Sequence, residues 1–183
     1  PELLEKYIEN PLSISPEDIR KQLRKATLES RAFPVFCGSS FKNKGVQLLL
    51  DGVVHYLPSP CEMEEIEGVN PKAEAKESRD NSTSAPFCAL VFKIANDPYV
   101  GRLAFIRVYS GSLVSGSMAY NSNTEQKERV SRLIRMHSNK QNPIDSIEAG
   151  DICAVVGFRN IRTGDTLCDE KHPIVLESIE FPE

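Results

Sequence analysis

The spacing of hydrophobic residues changes partway along the chain. Up to about residue 57 the apolar positions recur every three or four residues, as they do on one face of an α-helix. From residue 86 onward they fall in short runs separated by glycine or proline, as they do in a set of β-strands. Residues 58–85 follow neither period. The pattern predicts an α+β chain whose first part is helical and whose last part is made of strands.

The helical region divides into three amphipathic segments. The first begins near Leu4 and ends at Asn10-Pro11, where proline cannot continue a helix. The second follows Ser15, a predicted N-cap, because proline and two acids occupy the next three positions. The third covers residues 46–57 and ends at Pro58. Between the last two helices, residues 33–38 are apolar, of strand length and closed by a glycine, so they predict a short strand.

A strand, a loop and a helix in this order make half of an α/β unit. Such a unit needs neighbouring parallel strands, and residues 1–57 contain too few to form a sheet by themselves. We therefore expect residues 1–57 to be the C-terminal remnant of a larger α/β domain. Residues 58–85 carry seven acids against three bases and many small polar residues, so they predict an acidic linker with one strand-like stretch at 63–66.

The last region, residues 86–183, is a series of short apolar runs at even spacing. The predicted strands are 87–94, 102–109, 117–121, 127–136, 151–158, 165–168 and 175–181. Short strands with turn residues between them are typical of a closed antiparallel barrel or a sandwich. Closure would also remove the exposed edges of such apolar strands.

Length, composition and charge further limit the class of protein to which the chain can belong. The chain has 183 residues, 40% of them hydrophobic, which fits one domain or a partial domain plus a small complete one. No apolar run is long enough to span a bilayer, so no membrane contact is expected. Five dispersed cysteines without a C-x-x-C pair predict reduced thiols in a cytoplasmic protein. The net charge of −4 argues against strong non-specific binding of nucleic acid by the whole chain, although a local basic face is compatible with it.

Several kinds of chemistry are excluded by the motifs. The phosphate-binding pattern G-x-x-x-x-G-K-[ST] does not occur in these 183 residues. Asn43-Lys44-Gly45-Val46 has valine where a guanine-reading element needs a carboxylate. Cys168 and His172 form the only close Cys/His pair, which cannot supply the four ligands of a zinc site. We predict no catalytic residue and no metal site in this chain.

Two segments are candidates for binding. Gly38-Ser39-Ser40 lies between the predicted strand and the third helix, where it is either a plain turn or a ligand-binding loop. The predicted strand at 127–136 is basic, and alternation along one strand would put Arg129 and Arg135 on one face and Arg132 on the other. Such arginines are either a solvated surface or a salt-sensitive RNA contact.

Five blocks of the sequence together carry a family resemblance: 38–60, 92–111, 127–137, 162–168 and 179–183. The strongest likeness is the run from Asp97 to Gly111. These blocks resemble bacterial elongation factor G, the ribosomal translocation GTPase family, and they occur in the family's order. The resemblance implies that residues 1–57 are the C-terminal part of a GTP-binding domain, that 58–85 are a linker, and that 86–183 are the family's second domain, an antiparallel β-barrel of the translation-factor type.

The resemblance also implies a function for the longer protein. It would bind GTP with Mg²⁺ and couple GTP hydrolysis to the movement of tRNA and mRNA, using phosphate-binding and catalytic residues that lie before Pro1. The chain itself is expected to be inactive, monomeric, without a cofactor and cytoplasmic.

Within the chain, the resemblance implies that the backbone of Gly38, Ser39 and Ser40 touches the guanine base, although the family usually has alanine where Ser40 stands. The barrel would dock on small-subunit ribosomal RNA and on the remainder of the GTP-binding domain. The predicted contact residues are Tyr99, Arg102, Arg129, Arg132 and Arg135. Two alternatives stay open: a module of a related translation GTPase that acts in ribosome protection, recycling or release, and a stand-alone barrel that binds RNA or protein.

Overall fold

The structure, a computed structural model, describes residues 2–63, 65–138 and 140–176. It divides into two compact units, Pro1–Ser59 and Pro60–Glu183. The described part of the first unit is helical, and that of the second consists mainly of antiparallel strands. The predicted α+β class is therefore confirmed.

The helices of the first unit are α1 (Glu2–Glu9), α2 (Pro16–Leu28) and α3 (Val46–Tyr56). All of the predicted helices are confirmed. Helix α2 begins with a capping box, in which the hydroxyl of Ser15 accepts a hydrogen bond from the amide of Asp18 at 3.1 Å. The carboxylate of Asp18 accepts one from the amide of Ser15 at 3.3 Å. These two bonds satisfy amides that the first turn of a helix leaves unpaired.

The C-terminal end of α3 is held by a side chain of α2. The guanidinium of Arg24 donates to the carbonyl oxygens of His55 at 2.8 Å and Leu57 at 3.1 Å. These carbonyls lie at the negative end of the helix, where they lack intrahelical partners and attract a cation.

The prediction of a strand at residues 33–38 is wrong. This segment is irregular in the structure, because the described part of the first unit offers no strand with which it could pair. Phe33 and Val35 are consequently 79% and 87% exposed. Phe36 is held differently, since its ring packs directly against Gly52 of α3.

The second unit is made of strands β1 to β13. Their bounds are β1 (Ile66–Asn70), β2 (Ala75–Arg79), β3 (Cys88–Asp97), β4 (Gly101–Ser110), β5 (Ser112–Val114), β6 (Met118–Asn121), β7 (Gln126–Arg129), β8 (Arg132–His137), β9 (Lys140–Ile144), β10 (Ser146–Glu148), β11 (Ile152–Val156), β12 (Thr166–Cys168) and β13 (Val175–Leu176). Of the strand predicted at 175–181, the first two residues are confirmed and the rest lie outside the described residues.

Among the described residues these strands form three antiparallel sheets. The largest has the order β7-β6-β12-β3-β4-β11-β8-β9, and β13-β1-β2 and β10-β5 form two smaller ones. Strand pairing in this part of the chain does not join the edge strands β7 and β9. The antiparallel sheet is confirmed, whereas barrel closure stays a prediction. The main core lies on one face of the largest sheet and includes Val91, Ile106, Leu133 and Val155.

The linker predicted at residues 58–85 contains a β-hairpin, so this interpretation was wrong for its central part. Strand β1 pairs with β2 over its full length and with β13, which lies about a hundred residues further along the chain. Gly68 allows β13 to approach, because a Cβ at this position would lie 2.7 Å from the carbonyl oxygen of Val175. Glu67 and Val69 are exposed while Gly68 is buried, so the acidic side chain points to solvent.

The prediction of a single strand at 127–136 is also wrong, because two strands, β7 and β8, occupy this segment. The chain changes partner between them. The amide of Val130 donates to Ser117 beside β6 at 3.0 Å, and the amide of Ser131 donates to Val156 of β11 at 2.9 Å. This break removes the basis for assigning Arg129 and Arg135 to one face.

Candidate functional site

The Gly38-Ser39-Ser40 segment forms one side of a narrow loop that ends at α3. The amide of Ser39 donates to the carbonyl of Lys44 at 2.9 Å, and the amide of Lys44 donates back to Ser39 at 3.0 Å. Gly38 and Gly45 make this crossing possible, since a Cβ on Gly45 would lie 3.2 Å from the Cα of Gly38. Gly45 also has a φ of +78°, which favours glycine.

This geometry distinguishes the three predicted loop residues. Both backbone groups of Ser39 are used to close the loop. Ser40 is exposed, and its carbonyl accepts a bond from Asn43 at 3.0 Å. Within the part of the chain that the structure describes, the amides of Ser40 and of the exposed Gly38 have no backbone partner. Ser39 is therefore the member of the trio whose amide is used within the loop, whereas the amides of Gly38 and Ser40 are not.

In the second unit, the turn between β3 and β4 displays Tyr99. One carboxylate oxygen of Asp97 accepts the amides of Tyr99 and Val100, both at 2.9 Å, and the other accepts the side-chain amide of Gln141 at 2.9 Å. Hydrogen bonds to the charged form lower the pKa of Asp97, those from the amides of Val100 and Tyr99 most of all. The side chain of Tyr99 is 94% exposed, so the turn presents it to solvent.

Arg102 is engaged within the unit. Its guanidinium donates to the carbonyl oxygens of Arg159 at 3.3 Å and Ile161 at 2.6 Å. It thus fixes one side of the segment 157–161, which follows β11 and which we call the β11 loop.

The other side of the β11 loop is held by Glu128 of β7, which the sequence did not single out. Its two buried carboxylate oxygens accept the amides of Arg159 at 2.8 Å and Asn160 at 3.0 Å. Gly157 begins the loop with a φ of +118°, and a Cβ there would lie 2.8 Å from the carbonyl oxygen of Arg129. The only sequence signal for Glu128 is an acid inside a basic run.

The remaining predicted arginines differ in how they are engaged. Arg135 forms an ion pair with Asp151 at 2.7 Å, and because both side chains are about half exposed this pair contributes little to stability. Arg129 and Arg132 are exposed, and neither guanidinium has a partner among the described residues. Arg159 is exposed as well, and its guanidinium likewise has no partner among the residues that the structure describes.

A pocket of about 550 Å³ lies between β7 and the β11 loop. We call it the β7 pocket. It is lined by Met118, Gln126, Lys127, Glu128, Arg129, Ser131, Gly157, Arg159 and Asn160. The five predicted contact residues therefore do not form one site: Arg129 lines the pocket, Arg102 supports the loop beside it, and Arg132, Arg135 and Tyr99 lie elsewhere.

The described residues contain no cluster of three or more His, Cys, Asp or Glu side chains that could hold a metal ion. None of the helices described is both long enough and apolar enough to cross a membrane.

Comparison with known protein families identifies a domain within the second unit. Residues 86–170 match the family model "Elongation factor G domain 2". The chain is 61% identical to elongation factor G of Amoebophilus asiaticus and 56% identical to that of Cytophaga hutchinsonii, in each case over 181 residues. Both alignments cover 99% of this chain and 26% of the relative.

The chain therefore belongs to the elongation factor G family, as a segment that contains domain 2 and spans about a quarter of the relatives it matches. A solved structure agrees in fold. The crystal structure of ttk003000868 from Thermus thermophilus has a TM-score of 0.66 and 24% identity, covering 99% of this chain and 25% of that one.

Proposed function

We propose that this chain is part of a ribosomal translocase that couples GTP binding and hydrolysis to the movement of tRNA and mRNA in the cytoplasm. The observation that carries the proposal is the 61% identity to an elongation factor G over 99% of the chain, which includes both units. The sequence has no phosphate-binding pattern. We therefore propose that GTP and Mg²⁺ bind to the longer protein, and that the chain alone is monomeric, inactive and without a cofactor.

The first unit would contribute the guanine-base loop. Ser40 supplies an unpaired amide in the exposed loop that leads into α3, and a backbone contact of this kind does not depend on the side chain. In the longer protein, Ser40→Ala should therefore leave GTP affinity unchanged, whereas Ser40→Pro, which removes the amide hydrogen, should weaken it about tenfold or more. Equal affinities of the two variants for GTP would contradict this role.

The first unit also supports the presence of a larger GTP-binding domain. Large apolar side chains stay exposed in its described part, such as Phe41 at 99% and Val54 at 75%. The apolar segment at 33–38 also lacks a strand partner in this described part. A sheet of the same domain would cover the helices and give this segment a strand partner.

The second unit would act as the docking domain, a barrel of the type shared by translation GTPases, with residues 86–183 as its expected extent. The corner at Val130 and Ser131 favours closure, because it connects β7, at one edge of the sheet, to β8, which is next to the opposite edge strand β9. A closed barrel would hold Tyr99 and the arginines on a rigid frame, which suits contact with small-subunit ribosomal RNA.

Sedimentation with small ribosomal subunits tests this docking. The 183-residue chain should pellet with the subunits at low salt and progressively lose them as the salt concentration rises, because phosphate contacts release counterions. A chain that stays in the supernatant at low salt would contradict docking. Complementation of a translocase-deficient strain by the full-length gene separates translocation from ribosome protection, recycling or release.

A further inference from the structure

The β7 pocket combines cationic side chains with a rigid frame. We infer that it binds the phosphodiester backbone of RNA, with Arg129 and Arg159 as the groups that contact phosphate. This inference rests on the proposed docking on RNA and names the site that would do it. Neither Arg159 nor the pocket is among the contact residues that the sequence predicts.

The two arginines are available for a ligand. Both are exposed, both line the pocket, and neither guanidinium has a partner among the residues the structure describes. Lys127 also lines it, but its ammonium group is 2.7 Å from the carboxylate of Glu170. The planar guanidinium group donates two parallel hydrogen bonds to a phosphate, which makes arginine the better phosphate ligand here.

The one acidic side chain of the pocket lining, Glu128, offsets only part of the charge of the two arginines. Both of its carboxylate oxygens accept backbone amides, so the acid also holds the β11 loop. Arg102 holds the opposite side of the same loop through two carbonyls. The backbone of Arg159 is thus fixed by one anion and one cation, so the loop that carries its side chain needs no ordering when phosphate binds.

The other lining residues favour RNA over a protein partner. Gln126, Ser131 and Asn160 offer neutral polar side chains of the kind that contact phosphate and sugar oxygens. Protein interfaces are anchored by buried aromatic side chains as well as by arginine, and the residues that line this pocket include Met118 but no aromatic ring. A volume of about 550 Å³ also exceeds what one phosphate fills, so there is room for more than one group of the RNA backbone.

The test is a titration of the 183-residue chain with a fluorescein-labelled RNA hairpin, followed by fluorescence anisotropy at several salt concentrations. The double variant R129Q/R159Q should bind at least about tenfold more weakly, and its log–log salt slope should be smaller by about 2. The matched control K72Q/K76Q removes two positive charges from the β1–β2 hairpin and should change affinity less than about threefold. Both arginines are exposed, so neither substitution disturbs the core.

The variant Glu128→Gln distinguishes the role of Glu128 in positioning the β11 loop from the effect of its negative charge on RNA binding. Loss of a negative charge beside the pocket would, on electrostatics alone, strengthen RNA binding. Loss of the loop's anchor should instead weaken it, by about threefold or more, with an unchanged salt slope because both arginines remain. Tighter binding by Glu128→Gln would contradict the positioning role.

The outcomes separate this inference from the docking proposal. If the unsubstituted chain binds the hairpin and R129Q/R159Q binds it equally well, the pocket is not the site, although docking stands. If the chain does not bind the hairpin, the inference also fails, while sedimentation with small subunits decides docking by itself. Binding of an acidic peptide by the pocket with higher affinity than the hairpin would likewise overturn it.

Discussion

The side-chain amide of Asn121 donates a hydrogen bond of 2.8 Å to the carboxylate of Asp165, and both side chains are buried. This bond ties the end of β6 to the residue before β12. Asn121 also accepts the amides of Asn123 and Thr124, at 3.0 and 3.2 Å, and thereby shapes the turn that leads into β7.

Replacing Asn121 should destabilise the second unit. Asn121→Ala leaves the carboxylate of Asp165 with one buried partner fewer and the turn without its acceptor, so we expect a loss of about 2–3 kcal/mol. Urea denaturation followed by circular dichroism measures this change. Asn142→Ala, on the exposed edge strand β9, serves as the control and should stay within about 0.5 kcal/mol. Equal stability of the two variants would show that the buried bond contributes nothing.

A comparison of Gly111 and Gly116 distinguishes the cost of backbone strain from the cost of a steric clash. Gly111 and Gly116 both have positive φ, at +69° and +83°. A Cβ on Gly111 would lie 2.6 Å from the Cα of Phe87, whereas a Cβ on Gly116 would meet no atom within 4 Å. We expect Gly116→Ala to cost about 1 kcal/mol from strain alone, and Gly111→Ala about 3 kcal/mol or more, because the backbone must move. Thermal unfolding of both variants measures the difference, and a difference near zero would contradict the close approach.

The five thiols should react in two classes. Burial raises the pKa of Cys88 and of Cys153 to about 12, and it raises the pKa of Cys168 as well. These thiols are therefore protonated at neutral pH and shielded from solvent, whereas Cys37 and Cys61 are exposed. Iodoacetamide at neutral pH should label Cys37 and Cys61 quickly and the other three only after unfolding, as peptide mass spectrometry would reveal. Rapid labelling of Cys88 in the folded chain would contradict the burial of this thiol.

Acidification should weaken the turn at Tyr99. Hydrogen bonds lower the pKa of Asp97 below its ordinary value of 3.8. A group with a lowered folded pKa stabilises the fold above its unfolded pKa, and this contribution is lost as the pH falls through the lower folded value. Between neutral pH and a pH below 3.8, the chain should therefore lose more stability than Asp97→Asn, which does not titrate. Parallel denaturant titrations at both pH values measure the two losses, and identical losses would exclude this contribution.

The sequence predicted the elements that local signals define. Ser15 and the residues after it specify the start of α2 through a capping box, and proline ends α3. The hairpin of β1 and β2 could not be predicted in the same way, since its third strand is β13 and its short strands carry few apolar residues. Long-range pairing is the information that local periodicity lacks.

The candidate site was predicted in part for a similar reason. Alternation along residues 127–136 identified the arginines as a group, but the change of partner at Val130 and Ser131 depends on tertiary contacts. The roles of Arg102 and Glu128 depend on where the β11 loop returns, about thirty to sixty residues later. Residue type alone therefore indicated a basic surface, and only the fold distinguishes a supporting arginine from an available one.

A chimera tests the central claim most directly. The 183 residues replace the corresponding segment in the full-length elongation factor G of Amoebophilus asiaticus, to which they are 61% identical. Ribosome-stimulated GTP hydrolysis and translocation are then measured against the unmodified factor. If the chain is the translocase segment proposed, both rates should stay within about threefold of the unmodified factor's rates, a loss of less than about 1 kcal/mol in activation free energy. A folded chimera that binds GTP but is neither stimulated by ribosomes nor active in translocation would contradict it.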